Sequence, residues 1–289
     1  MIDELEDTFK SFDLEGNAID DLYYEVYFNP DVIYSEFNIS AIIAAKIEKK
    51  KVFITASIPT QYEYANNMRY ARGVNKLLKE YGIQTVKSCL ELFAWADKKV
   101  VPSCYELEPF TDKSVVFCGT WKHIIFAPCE DRNKILVYMG NGTISQRKMI
   151  KEIYKAFKNS RYSVYIAGKG LEERHFNNLY IASYFNFEQL LPQSVLYINH
   201  GGQNSIIDGL IYGVPQLICA GKVFERKYNA QSIVKVKAGL EIPYKEFTGH
   251  NIEAYADKII SNKEYQKNAL KIGKELLSLG GAESIIEYL

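Results

Sequence analysis

Short β-branched and aromatic runs alternate along the chain with longer stretches of helical period. Asp31-Val32-Ile33-Tyr34 reads as a strand and Ile39–Lys50 as the helix after it. Val52-Phe53-Ile54-Thr55 is a second β-rich run, closed by Pro59. Two helical stretches follow, at about 64–81 and 84–99, separated by Gly82, and Val115-Val116-Phe117-Cys118 ends the region as a strand. Residues 119–132 carry no period and contain Gly119, Pro128 and the cluster Glu130-Asp131-Arg132, the marks of a linker. Beyond it the alternation becomes regular. Ile135–Met139 is a strand, Gln146–Lys158 a helix, Tyr162–Ala167 a strand, and Tyr180–Tyr184 and Val195–Asn199 two more strands. Ser205–Tyr212 then reads as a helix, Gln216–Ala220 as a strand and Asn229–Ala238 as a helix. Such alternation predicts a parallel sheet covered on both faces, a complete Rossmann-like domain over 133–270. The apolar run Ala282–Leu289 after a glycine pair is expected to pack back onto the N-terminal part.

A length of 289 residues suits two domains, and a hydrophobic fraction of 47% suits folded cores rather than disorder. Lys plus Arg equals Asp plus Glu, 35 each, so no global field favours nucleic acid or an anionic membrane. Residues 1–36 hold eleven acidic groups against Lys10 alone, which repels a phosphate backbone. The five cysteines (Cys89, Cys104, Cys118, Cys129, Cys219) are odd in number and form no C-x-x-C pair. That spacing argues against a disulfide framework or a zinc site and suits a reducing cytoplasm. The acidic start has the wrong charge for a signal peptide, and apolar stretches such as Ile39–Ala45 are too short to span a bilayer. The chain is therefore expected to be cytoplasmic.

Chemistry concentrates at Asn199-His200-Gly201-Gly202-Gln203-Asn204-Ser205, between a β-rich strand and a helix. Parallel α/β sheets place ligands at the carboxyl ends of their strands. Two glycines let a ligand approach the backbone, and a helix starting there turns its first N–H groups and positive dipole end toward it, an arrangement for phosphate. His200, Asn204 and Ser205 supply side-chain donors. An isolated glycine pair would be no more than a turn.

The longer run is His200-Gly201-Gly202-Gln203-Asn204-Ser205-Ile206-Ile207-Asp208-Gly209-Leu210. After it come Gly213-Val214-Pro215, then Glu225-Arg226-Lys227-Tyr228-Asn229-Ala230, then Gly239. In order and spacing it resembles the donor-site signature of the family 1 (UDP-glycosyl/glucuronosyl and macrolide-type) glycosyltransferases. Leu190-Leu191-Pro192, the glycine turn Met139-Gly140-Asn141-Gly142-Thr143, and the ending Leu279-Gly280-Gly281-Ala282 extend the likeness. Pro30–Glu36 and Pro102–Pro109 resemble bacterial members more loosely.

The resemblance implies two Rossmann-like domains facing a cleft, the GT-B type, with the N-terminal one incomplete. Residues 1–130 would be a shortened acceptor-side domain and 131–289 the donor-binding domain. His200 would bind the donor pyrophosphate, helped by Gly201, Gly202, Asn204 and Ser205, with Gly140 and Thr143 on the neighbouring turn. Asp208 stands, one methylene shorter, where the family has a Glu for the ribose hydroxyls. Glu225 stands at the acidic position that reads the sugar. Arg226 replaces the usual Gln there, and a guanidinium donates only, whereas an amide also accepts.

No D-x-D pair occurs in the chain, and a helix dipole with a histidine can bear the diphosphate charge. Metal independence is therefore expected, with no cofactor. The co-substrate would be a nucleotide-sugar, UDP- or dTDP-linked, and the acceptor a small hydroxylated molecule. In the resembling family a His near the start of the N-terminal domain activates the acceptor. No counterpart is visible here, so the catalytic residue stays unassigned and self-association or a partner chain is expected to complete the shortened half. The leading expectation is inverting sugar transfer. The alternatives are a non-catalytic nucleotide-sugar-binding subunit and a nucleotide-sugar hydrolase or epimerase on the same scaffold.

Overall fold

The computed structural model describes residues 29–36, 38–61, 71–88, 90–122, 131–140 and 144–288. The chain divides into two compact units, one formed by Met1–Trp121 together with Leu279–Leu289, the other by Lys122–Ser278. The division falls a few residues before the expected boundary at 130/131, and the C-terminal segment joins the first unit.

The first unit carries a four-stranded parallel sheet in the order β1-β2-β3-β4. Its strands are β1 (Val32–Glu36), β2 (Lys51–Thr55), β3 (Lys98–Val101) and β4 (Val115–Phe117). Helix α1 (Ile39–Glu48) joins β1 to β2. Asn38 starts it by accepting the Ser40 N–H, and Lys49 ends it in the left-handed region at φ 58°. Ile42, Ile43, Val52 and Ile54 share one core with Val74, Leu77 and Leu78 of α2 (Arg72–Glu80) and with Leu92 and Phe93 of α3 (Leu90–Phe93). On the other side Phe53, Val100 and Cys118 pack against Ile285.

The helix expected over 84–99 is not formed. Only α3 is helical there, and 98–101 is a central strand. Its two lysines hid it from the sequence pattern. Lys99 pairs with Asp112, and the Lys98 ammonium lies 4.8 Å from the ring centroid of Tyr288, so both charges are satisfied while the strand pairs on both edges.

The second unit is a seven-stranded sheet in the order β11-β10-β9-β5-β6-β8-β7. Its members are β5 (Lys134–Tyr138), β6 (Ser163–Ala167), β7 (Arg174–Phe176), β8 (Leu179–Ala182), β9 (Ser194–Asn199), β10 (Gln216–Ile218) and β11 (Gly239–Glu241). Six strands are parallel; five of them were expected, and β11 was not. The seventh, β7, is an antiparallel edge paired with β8 that the sequence pattern missed. With β7 set aside, the order is that of the doubly wound nucleotide-binding sheet, whose crossover direction reverses between β5 and β9.

Helix α4 (Gln146–Phe157) is capped by Ser145, whose hydroxyl accepts the Lys148 N–H. It packs with α8 (Gly249–Ser261) on Ile135, Val137, Val164, Ile166, Leu196 and Ile198. The Glu152 carboxylate accepts the Gly249 N–H at 2.9 Å and ties the start of α8 to α4. Helix α5 (Phe187–Leu190) precedes β9, α6 (Gln203–Ile211) joins β9 to β10, and α7 (Phe224–Lys235) joins β10 to β11. α7 starts five residues earlier than its apolar pattern predicts. Helix α9 (Lys263–Ser278) lies on α6 so closely that a Cβ at Gly273 would stand 2.0 Å from the Leu210 carbonyl oxygen.

At the chain's end the Gly281 N–H donates to the Cys118 carbonyl at 2.9 Å, ahead of α10 (Glu283–Ile286), which holds Ile285. The return of this segment onto the N-terminal part agrees with the expectation from sequence. No helix among the described residues is long and apolar enough to cross a membrane.

The α6–α9 contact makes a paired prediction about stability. Gly273→Ala is expected to destabilise the second unit by about 1–3 kcal/mol, the range for overpacking a tight contact. Gly73→Ala, in α2 with no atom within 4 Å of the new Cβ, is expected to be neutral or stabilising. Thermal melts of the two variants beside the unsubstituted chain decide this, and equal melting for Gly273→Ala would refute the close packing.

Candidate functional site

The carboxyl ends of β5 and β9 lie side by side at the point where the crossovers diverge, with Tyr138 in register with Asn199. Gly140 follows the first strand and His200 the second. The chain leaves β9 through Gly201, which sits at φ +84° and so needs glycine. Gly202 is the N-cap of α6, and Ile206 closes its first turn by donating to the Gly202 carbonyl at 3.0 Å. The cap residue has no side chain, so nothing of its own covers the amino end of the helix. That end carries partial positive charge.

The His200 ring is wedged between two glycines. A Cβ at Gly140 would stand 3.0 Å from the ring, and one at Gly202 would stand 2.7 Å from Nε2. At Gly202 the imidazole takes the space of a side chain, and at Gly140 the ring crowds a position already held at φ +56°. A Cβ at Gly201 would lie 2.8 Å from the Arg226 carbonyl oxygen, so the first turn of α7 is pressed against the same loop. The Tyr138 ring meets His200 edge-on at 5.6 Å and meets Phe187 of α5 in the same way, also at 5.6 Å.

Burial lowers the His200 pKa to about 4, the Arg226 charge adds to this, and the Tyr138 main chain opposes it. The ring is thus neutral at pH 7. An uncapped helix end and a nearby guanidinium make the surroundings positive, which disfavours a second cation and favours an anion.

Asn204 is exposed in the first turn of α6, and Ser205 beside it is buried. Asp208, one turn further along, is buried and paired with Lys122 at 2.6 Å. Burial raises its pKa and Lys122 works against that. Glu225 is exposed in the first turn of α7, next to Arg226.

The structure therefore gathers His200, Gly140, Gly201, Gly202 and Arg226 at one point, and the first turns of α6 and α7 carry Asn204, Ser205 and Glu225 from there. Thr143 lies outside the described residues, as does His123. His175 and His250 are exposed, on strand β7 and in α8. Cys219 is buried, and burial pushes its thiol up to about 12, which fits a core residue and not a nucleophile.

Sequence reading missed Tyr138 and Lys122, which touch the site only after folding. It also missed three buried amides beside the glycine turn: Asn199, Gln216 and Asn229. Asn199 and Asn229 fall inside the quoted motif, so their positions carried a signal. Gln216 carried none.

The chain is similar in sequence and in fold to known glycosyltransferases. Residues 172–289 match the family described as erythromycin biosynthesis protein CIII-like, C-terminal domain. NDP-glycosyltransferase YjiC of Bacillus subtilis is 26% identical over 161 residues, which are 53% of this chain and 40% of that protein. The matched region is thus well under half of that relative. The glycotransferase of kitacinnamycin superposes with a TM-score of 0.83 at 17% identity, covering 100% of this chain and 83% of that one. Spinosyn rhamnosyltransferase SpnG, solved with thymidine diphosphate, gives 0.72 at 12% identity, covering 95% and 80%. At these identities the structures establish a shared fold, the GT-B type with its Rossmann-like units.

The wedged, neutral histidine gives a titration that can be followed. Its folded pKa lies below the unfolded value of about 6.5, so the unfolded chain binds more protons between the two values. His200 thus contributes stability above about pH 6.5 that is lost as the pH falls toward 4. Imidazole NMR should show His200 titrating near pH 4 in the unliganded chain. Gly202→Ala, which displaces the ring, should move that titration upward, and a wild-type midpoint near 6.5 would contradict the wedged geometry.

Proposed function

We propose that this chain, a relative of the family 1 glycosyltransferases, binds a nucleoside-diphosphate sugar in its second unit and serves transfer of the sugar to a hydroxyl-bearing small acceptor. The observation that carries the reading is the glycine-walled His200 at the uncapped amino end of α6, set at the switch point of a doubly wound sheet. The donor's two phosphates sit at Gly201–Ser205. There the main-chain N–H groups of the first helical turn and the His200 ring take up the charge that grows as the sugar–phosphate bond breaks. Glu225 and Arg226, on the adjoining helix turn, face the sugar. Asp208, oriented by Lys122, serves the nucleoside side, together with Gly140 and, by its place in the sequence, Thr143.

The displacement is read as inverting: the acceptor oxygen attacks the anomeric carbon opposite the departing diphosphate, and its proton passes to a base. It is also read as metal-independent, because helix end, histidine and Arg226 already supply positive charge where the leaving group forms. The bound nucleotide of SpnG supports a thymidine or uridine diphosphate donor. The buried free thiols Cys104, Cys118 and Cys219 suit a reducing compartment such as the cytoplasm.

A second reading is that the chain binds donor and another chain supplies the acceptor base. Of the three described histidines, His200 is committed to the phosphate side, while His175 and His250 are exposed on the second unit.

Calorimetric titration of UDP and dTDP tests the site. His200→Ala should weaken binding by about 1–3 kcal/mol, the range for a hydrogen bond to a charged group, and chelator should change nothing. Equal affinity in both forms would remove His200 from the phosphate site. Mass analysis of mixtures with nucleotide-sugars and hydroxyl acceptors separates glycoside product from free sugar, and donor binding without product would favour the second reading.

A further inference from the structure

Gly201 is buried between the end of β9 and the start of α6, outside both ladders, and its two peptide groups are met by side chains. Asn199 Oδ1 accepts the Gly201 N–H at 2.8 Å. Asn199 Nδ2 donates to Gln216 Oε1 at 2.7 Å, and Gln216 Nε2 donates to the Ile206 carbonyl of α6 at 2.9 Å. From the opposite side Asn229 Nδ2, in α7, donates to the Gly201 carbonyl at 2.9 Å. Asn199 and Gln216 are fully buried and Asn229 nearly so.

Direction matters in this chain of bonds. Asn199 accepts from a main-chain N–H and donates to a glutamine oxygen, a pair of roles that an amide fills and a carboxylate cannot. Asn229 lies four residues after Glu225, so the two share one face of α7. The Arg226 carbonyl oxygen meanwhile abuts Gly201. The bond from Asn229 to Gly201 thereby sets how far α7 is advanced and how it is turned relative to the glycine turn.

We propose that Asn199, Gln216 and Asn229 are positioning residues: they lock the Gly201 turn and register the first turn of α7 against it, so that the diphosphate cradle and Glu225 and Arg226 form one preorganised unit. This rests on the donor-site reading above. A side-chain amide that merely satisfied a core would affect stability alone. One that positions the turn also affects ligand affinity and the field that Arg226 exerts on His200.

The experiment compares the full chain with Asn229→Ala, Asn199→Asp and Gly249→Ala. The last introduces a Cβ 2.5 Å from Lys155 Cβ on the far face of the sheet and serves as a variant destabilised away from the turn. Asn199→Asp keeps the acceptor for Gly201 but loses the donor to Gln216. UDP titration should show at least about tenfold weaker binding for Asn229→Ala and Asn199→Asp, equivalent to about 1.4 kcal/mol. Gly249→Ala should stay within about twofold, although its melting temperature falls. Imidazole NMR should show the His200 midpoint rising in Asn229→Ala, as Arg226 is no longer held beside it, and staying in place in Gly249→Ala.

UDP affinities of Asn229→Ala and Asn199→Asp within about threefold of the unsubstituted chain, or losses matched by Gly249→Ala, overturn the proposal. If the unsubstituted chain binds neither UDP nor dTDP, the donor reading fails. The His200 titration then decides the positioning role alone, and an unmoved midpoint in Asn229→Ala overturns it.

Discussion

The parallel pairing of β5 with β9 is the constraint from which the second unit's chemistry follows. Strands on the two sides of this pair connect in opposite directions, so no crossover helix covers the space beyond their carboxyl ends. Gly140 and His200 leave the sheet into that space together. Tyr138 and Asn199, the last paired residues, bring the two turns into contact. A shift of either strand by one residue would turn these side chains to the other face and separate His200 from the glycine that walls it.

Electrostatics at this point is arranged by what is missing as much as by what is present. α6 begins at a residue without a side chain, so no cap side chain of its own offsets the helix's positive end. Arg226 adds a fixed positive charge, and burial keeps His200 neutral, so the ring adds no third positive group at pH 7. An anion entering there meets a preformed positive surface with little reorganisation, the condition under which charge developing on a leaving group is most strongly stabilised. Asp208 does not offset this field as a lone carboxylate, because Lys122 already neutralises it.

The two units also show how differently one chain can expose its logic. In the second unit the strands that end at the site are largely apolar and are separated by helical stretches, so alternation outlined five of the seven strands. In the first, β3 carries Lys98 and Lys99 in the middle of the sheet, and its charges are met by Tyr288 near the chain's end and by Asp112. A local pattern of charged residues after a helical stretch therefore read as more helix. β7 was missed for a related reason. It has three exposed residues and exists only because β8 offers a free edge.

By itself, the sequence determined the α/β class, most of the strand positions of the second unit, the His200–Ser205 turn, and the helix that starts behind it. These follow from side-chain periodicity and from the glycine pair of a strand-to-helix turn, where Gly201 sits at positive φ. Only tertiary structure decided why Gly140 and Gly202 are glycines, since the His200 ring that occupies their Cβ positions is remote from Gly140 in sequence. Tertiary structure likewise decided that Asp208 is paired with Lys122, 86 residues away in numbering (208 − 122), and that Asn199, Gln216 and Asn229 converge on one peptide. Hydrogen bonds and close contacts depend on distances set by the packing of β9, β10, α6 and α7, and periodicity along a chain holds no record of distances between its elements.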